Sequence, residues 1–181
     1  MKKVFIAFLS LFPAIAFAQQ DSTLSLPIKN RIVFYEKEYA REDWVKANRY
    51  SRAYKWLTKA FPESSEAVVA SQDLATGRIS AVGIFKVVTG EPEPASGKKP
   101  AFYWVKFAVD IFVTDKGYLF QAHDFYEKPT EKGVTNDYSK VEYRWRDFVK
   151  GKPWSPGDRR LFEGLNQRMA ELMASLEKQM K

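Results

Sequence analysis

The sequence predicts an α+β domain with the element order β-α-β-β-β-β-α. Three stretches carry that reading. Residues 101–113 place Tyr103, Val105, Phe107, Val109, Ile111 and Val113 on one side without exception, the period-two pattern of a strand with one face in a core. Residues 41–61 set Trp44, Ala47, Tyr50, Tyr54, Leu57 and Phe61 three and four apart, one stripe of an amphipathic helix. The C-terminal stretch repeats that period with Phe162, Leu165, Met169, Leu172 and Leu176.

The chain opens with Lys2 and Lys3, then an apolar run from Val4 to Phe17 that ends in Ala16-Phe17-Ala18. A basic start, a short apolar run and small residues at the peptidase positions make a secretory signal over residues 1–18. The run is too short to span a membrane, so the mature form has no transmembrane span. Cleavage after Ala18 and a periplasmic or secreted protein are expected. There is no cysteine in the chain, so no lipidation cysteine follows the signal.

Residues 19–30 read as a flexible polar leader, and residues 31–40, rich in β-branched and aromatic side chains, as the first strand. In the helix over 41–61, Glu42 and Asp43 open the first turn while Lys55 and Lys59 close the last, matching the helix dipole. Pro62 stops it. Arg49, Arg52, Lys55 and Lys59 fall off the apolar stripe and predict a solvated basic face. Strands at 66–72 and 78–88 flank a turn in which Gly77 suits a positive φ, and 89–100 is a loop by its glycines and prolines. Asp115-Lys116-Gly117 reads as a three-residue hairpin loop into strand 118–126. Residues 127–154 alternate only weakly and read as an irregular segment. Ser155 as cap, Pro156 at the first helical position and Asp158 begin the last helix, whose stripe must pack on the same domain. The organisation expected is a signal at 1–18, a leader at 19–30, a sheet domain at 31–127, and 128–181 as irregular segment plus helix.

This order, behind a signal segment, resembles an exported bacterial family of unknown function with a TATA-binding-protein-like fold. The likeness runs from Arg31 to about Glu127. It rests on the opening strand, the helix bearing Ala53-Tyr54-Lys55-Trp56-Leu57, the strands around Gly77 and Gly83, and the turn at Asp115-Lys116-Gly117. The resemblance implies a curled antiparallel sheet with helices packed on one face. It brings no catalytic residues.

The absence of cysteine excludes disulfides, thiolate nucleophiles and thiolate metal sites. A chain of 181 residues less its signal can bury roughly 70% of its unfolded surface, enough for one core. Its formal charge of +7, less the two lysines of the signal, confers solubility and suits anionic lipid or polysaccharide. His123 is the single histidine, so no histidine-rich metal site can form. Its neighbour Asp124 should point to the opposite face of the strand. A three-residue hairpin loop would pair His123 with Val109, and a two-residue loop with Asp110. Asp110 and Asp124 could approach across strands as a two-carboxylate site, although cross-strand ion pairing explains them as well. No nucleophile elbow, Walker loop or dinucleotide fingerprint is present. The expectation is a non-catalytic domain with no metal and no cofactor, and Asp110, His123 and Asp124 are weak polar candidates. Export and dispersed charge argue against nucleic acid.

The second face of strand 101–113 carries the candidate binding residues Phe102, Trp104, Lys106 and Phe112, with Ala108 and Asp110. Val82, Ile84 and Val88 extend it if Ile79, Ala81, Phe85 and Val87 face the helices. So much apolar surface calls for a cover. The favoured cover is the chain itself, with Tyr138, Tyr143, Trp145, Phe148 and Trp154 of segment 127–154 folded back as a lid. The functional alternative is an envelope protein or a small apolar or anionic ligand, with Trp104 as anchor and Lys106 on an anionic group. An envelope hydrolase and a structural part of an envelope assembly are the other readings.

Overall fold

The computed structural model describes residues 24–40, 45–62, 68–90, 100–130, 137–150 and 156–181. The expected signal segment, Glu42, Asp43, Trp44, Trp154, Ser155 and most of the 89–100 loop lie outside the described residues.

Two short strands, β1 (Ile28–Lys29) and β2 (Ile32–Val33), form an antiparallel ribbon. Asn30 and Arg31 both have positive φ, 52° and 68°, the geometry of a two-residue hairpin turn. The leader is therefore ordered at its end. Leu26 is buried and Asn166 donates to the Ser25 carbonyl at 3.0 Å, so the domain reaches back past Arg31.

The main sheet comprises β3 (Tyr35–Ala40), β4 (Val68–Asp73), β5 (Arg78–Val88), β6 (Phe102–Val113) and β7 (Gly117–Pro129) in the order β3-β7-β6-β5-β4, all pairs antiparallel, with β8 (Ser139–Lys140) added to β7. The six alternating residues predicted for β6 are all buried. Gly77 has φ 79°, as its turn requires. Gly117 serves a different purpose from the one predicted: it is the first residue of β7, and a Cβ there would lie 2.0 Å from the Tyr39 carbonyl oxygen. Glycine lets β3 approach. The hairpin pairs Val113 with Tyr118, a register one residue away from that of the three-residue loop considered, and so puts His123 opposite Ala108.

Helix α1 (Lys46–Leu57) is shorter than the predicted 41–61 and is turned about its axis relative to the predicted stripe. Ala47 is exposed, whereas Arg49, Ala53 and Trp56 are buried. Two polar contacts fix the turn. The Trp56 indole donates to Ser175 at 3.1 Å, and Arg49, expected in solvent but only 1% exposed, donates to the carbonyls of Thr114 and Asp115 in the β6–β7 turn. Phe61 lies beyond the helix but stays in the core, edge-on to Trp56 and Phe107.

Part of the segment expected to be irregular is α2 (Val141–Val149), and the C-terminal helix is α3 (Pro156–Gln179). Phe162, Leu165, Met169, Leu172 and Leu176 are buried as predicted, and Leu161 and Met180 are buried with them. Trp145 and Phe148 pack against Phe162, with ring centroids 5.0 and 5.4 Å away. That contact takes α2 to the helix side of the sheet and overturns the lid. Tyr143 is exposed, and of the proposed lid aromatics Tyr138 alone, among the described residues, reaches the other face. No helix among the described residues is long and apolar enough to cross a membrane.

Candidate functional site

With α1, α2 and α3 on one face, the other face of the sheet is open among the described residues, and the strand register lays out its side chains in rungs. Nearest the β6–β7 turn, Glu38, Leu119, Phe112 and Arg78 sit side by side, followed by Glu36, Gln121, Asp110 and Ser80. His123, Ala108 and Val82 form the middle rung. Beyond it lie Lys140, Tyr126, Lys106 and Ile84, then Lys128, Trp104 and Lys86. Phe102, Trp104, Lys106, Ala108 and Phe112 are all partly exposed, and Val88 is 56% exposed. Ile84 is buried, although it shares this face.

The candidate binding residues are spread along the strand. Trp104 meets Phe102 edge-on at 5.7 Å, and the Lys86 ammonium lies 4.6 Å from the Trp104 ring. Lys106 stands over Tyr138. Phe112 lies at the other end under the Arg78 guanidinium, so it does not join the Trp104 group.

Asp110, His123 and Asp124 do come together, by a route the alternation rule missed. His123 Nε2 is 3.2 Å from Asp110 Oδ2, and Nδ1 is 2.9 Å from Asp124 Oδ2. The register slips between Lys106 and Ala108, where Asp124 and Phe125 oppose Phe107 alone. Asp124 takes φ 54°. This is a β-bulge, and it swings Asp124 back beside His123 on the same face. The sequence does carry a trace of it: the buried positions step from Ala122 to Phe125, three residues instead of two.

Asp110 is 5% exposed. Its carboxylate accepts two hydrogen bonds from Arg78, at 3.1 Å each, and one from the Ser80 hydroxyl. Burial on its own would raise its pKa. The hydrogen bonds from Ser80, Arg78 and His123 outweigh burial and hold the carboxyl below its ordinary value. The cluster is poorly suited to catalysis. Ser80 donates to Asp110 and not to the imidazole, and both ring nitrogens of His123 face carboxylates. The two carboxylates lie at opposite ends of the ring instead of converging, and no group of His, Asp and Glu among the described residues could hold a metal ion.

A second buried carboxylate, Glu127 at 2% exposure, belongs to the helix side. Arg144 of α2 reaches it at 2.9 Å and Asp158 of α3 at 2.7 Å, and its guanidinium lies over Tyr103. This arginine joins α2, α3 and β7. Clefts open elsewhere among the described residues. One, of about 260 Å³, lies between β5 and α3 beside Gly164 and Arg168. Another, of about 300 Å³, lies between the end of α1 and the β4–β5 pair. Neither touches the Asp110 cluster.

The fold is similar to that of two solved structures. A DUF4468 family protein from Bacteroides ovatus superposes with a TM-score of 0.71 at 14% identity, over 86% of this chain and 90% of that one. A TBP-like protein from Parabacteroides distasonis gives 0.60 at 16% identity, over 84% and 97%. The chain has the TBP-like fold. Both neighbours are named by family or fold alone, and at this identity the likeness carries the fold and nothing finer. It also exceeds in length the stretch from Arg31 to Glu127 on which the resemblance was drawn. No protein-family model matches the sequence, and no curated protein does.

Proposed function

We propose that the chain is an exported, non-catalytic domain that binds an anionic partner in the cell envelope across the open face of its TBP-like sheet. One observation carries this reading: among the described residues the helices pack on one side, and the other side keeps Trp104, Phe102 and Lys106 partly exposed amid further lysines. Exposed rings and charges on a rigid sheet suit recognition. Export rests on the signal layout from Lys2 to Ala18. The saturated hydrogen bonding of Asp110 and His123 argues against a hydrolase.

Co-sedimentation of the purified mature protein with an envelope fraction tests the reading. Wild type should sediment in low salt and be released by high salt, since exposed charges are screened. Trp104→Ala and Lys106→Glu should lower the bound fraction while the melting temperature stays nearly constant. Sedimentation unaffected by both substitutions would remove this face from consideration.

A further inference from the structure

The open face is divided by charge along its strands. The two rungs nearest the β6–β7 turn carry Glu36, Glu38 and Asp110, with Arg78 committed to Asp110. Asp124 follows at the bulge. Past the middle rung the sign changes, and Lys86, Lys106, Lys128 and Lys140 occupy two adjacent rungs with no acidic residue between them. Each ammonium rests on a ring: Lys86 on Trp104 at 4.6 Å, Lys106 and Lys128 on Tyr138 at 5.8 and 5.3 Å, Lys140 on Tyr126 at 5.7 Å. Cation–π seating holds the four charges in place over the sheet.

We propose, resting on the sheet-face reading above, that the partner is a linear anionic polysaccharide crossing the strands over Lys86, Lys106, Lys128 and Lys140. The shape of the basic strip sets the direction. It crosses from β5 through β6 and β7 to β8, three strand spacings or about 14–15 Å, and is about 7 Å deep along the strands. A chain lying along the strands would run onto Glu36 and Glu38. A flat anionic membrane would meet the acidic half together with the basic half, and is disfavoured for that reason. The rings sit beneath ammonium groups, whereas single-stranded nucleic acid needs free ring faces for its bases to stack on. Lysine ammonium is a point charge that accepts carboxylate, sulfate or phosphate without demanding a planar fork. An exported protein meets such groups on polysaccharide.

The test is titration of the mature chain with sulfated oligosaccharides of increasing length, at low and at physiological ionic strength. Affinity should rise until the fragment covers about 15 Å and then level off. Lys106→Ala and Lys128→Ala should each weaken binding about fivefold, the scale at which one lysine acts near an anionic surface, and Lys106→Arg should restore it. Glu36→Lys with Glu38→Lys should let longer fragments continue to gain affinity, because the acidic half then no longer repels them. Polyglutamate binding as tightly as the saccharides would overturn the polysaccharide assignment in favour of an acidic polypeptide. Sedimentation with anionic vesicles but no saccharide binding would overturn it in favour of a lipid surface. Both outcomes leave the sheet-face reading standing. Binding to none of the three probes, with envelope sedimentation indifferent to Trp104→Ala, would end both.

Discussion

On β6 the two faces of the sheet alternate residue by residue, and they are built in different ways. The helix-covered face buries Tyr103, Val105, Phe107, Val109, Ile111 and Val113, and Phe107 alone meets the rings of Phe61, Phe85 and Phe125 within 5.6 Å. The open face keeps Phe102, Trp104 and Phe112 partly wet, under Lys86 and Arg78. Apolar burial stabilises the first face. Charge and ring contacts order the second while contributing little to folding, because partly exposed pairs are worth about 0.5–1 kcal/mol at most. A face that adds little to stability can vary its chemistry without unfolding the domain.

The largest effect expected separates the two faces on one strand. Phe107→Ala should cost about 3–5 kcal/mol, the range for an aromatic truncated in a packed core. Trp104→Ala, three residues away but on the open side, should cost about 1 kcal/mol, since little area is newly exposed. Urea midpoints at constant m-value measure both. Equal losses would mean that the open face is covered in the folded chain.

The polar contacts give a smaller contrast. Glu127 is buried among the helices, and Arg144 supplies its charged partner. Arg144→Ala leaves that buried carboxylate without its charged partner, with the Ser139 hydroxyl still donating to it, and should cost about 3 kcal/mol, whereas Arg78→Ala, whose guanidinium is half exposed beside an Asp110 still bonded to Ser80 and His123, should cost about 1 kcal/mol. A reversal of that order would make the Asp110 cluster, and not the Glu127 junction, the more important polar contact for stability.

How legible these features were depended on whether a local rule governed them. Strict alternation in β6 and the three-and-four stripe of α3 are repeated many times over, so their buried faces could be read directly. Arg49 could not: its burial follows from two carbonyls in the distant β6–β7 turn, and nothing near it in the chain signals that. The rotation of α1 has the same origin, since Trp56 is drawn to Ser175 of a helix far away in sequence. Segment 127–154 hid α2 because its apolar residues Trp145 and Phe148 look the same whether they cover a sheet face or dock on Phe162. The candidate site was legible as a face but not as a geometry. Trp104 and Lys106 lie where alternation put them, whereas the meeting of Asp110, His123 and Asp124 needed a bulge.

Asp110 ties that cluster to pH. Its native pKa lies below the ordinary value, so the ionised form is favoured by folding. Its contribution is present above the unfolded pKa of about 3.9 and is lost as pH falls through the native value. Asp110→Asn should therefore destabilise by about 1–3 kcal/mol at neutral pH, the loss of charge-assisted hydrogen bonds at a buried acceptor. The gap to wild type should close progressively below about pH 4. A gap that stayed constant down to pH 2 would show that shape, not charge, fixes this residue.

The smallest effect is the most specific, because it reverses a general rule. In a strand, glycine is ordinarily less stable than alanine by about 0.5–1 kcal/mol, through the entropy of the unfolded chain. At Asp124 the backbone has φ 54°, where a Cβ costs about 1–2 kcal/mol unless a short polar side chain compensates. Asp124→Ala loses the contact with His123 and keeps the Cβ, so it should cost about 1–2 kcal/mol. Asp124→Gly loses the same half-exposed contact but relieves the backbone, and that gain roughly offsets the added chain entropy. It should fall within about 1 kcal/mol of wild type. Glycine should thus be the more stable of the two variants. If alanine proves more stable than glycine at this position, β7 is a regular strand there. Asp124 would then point away from His123, and the open face would lose the bulge that gathers its acidic residues.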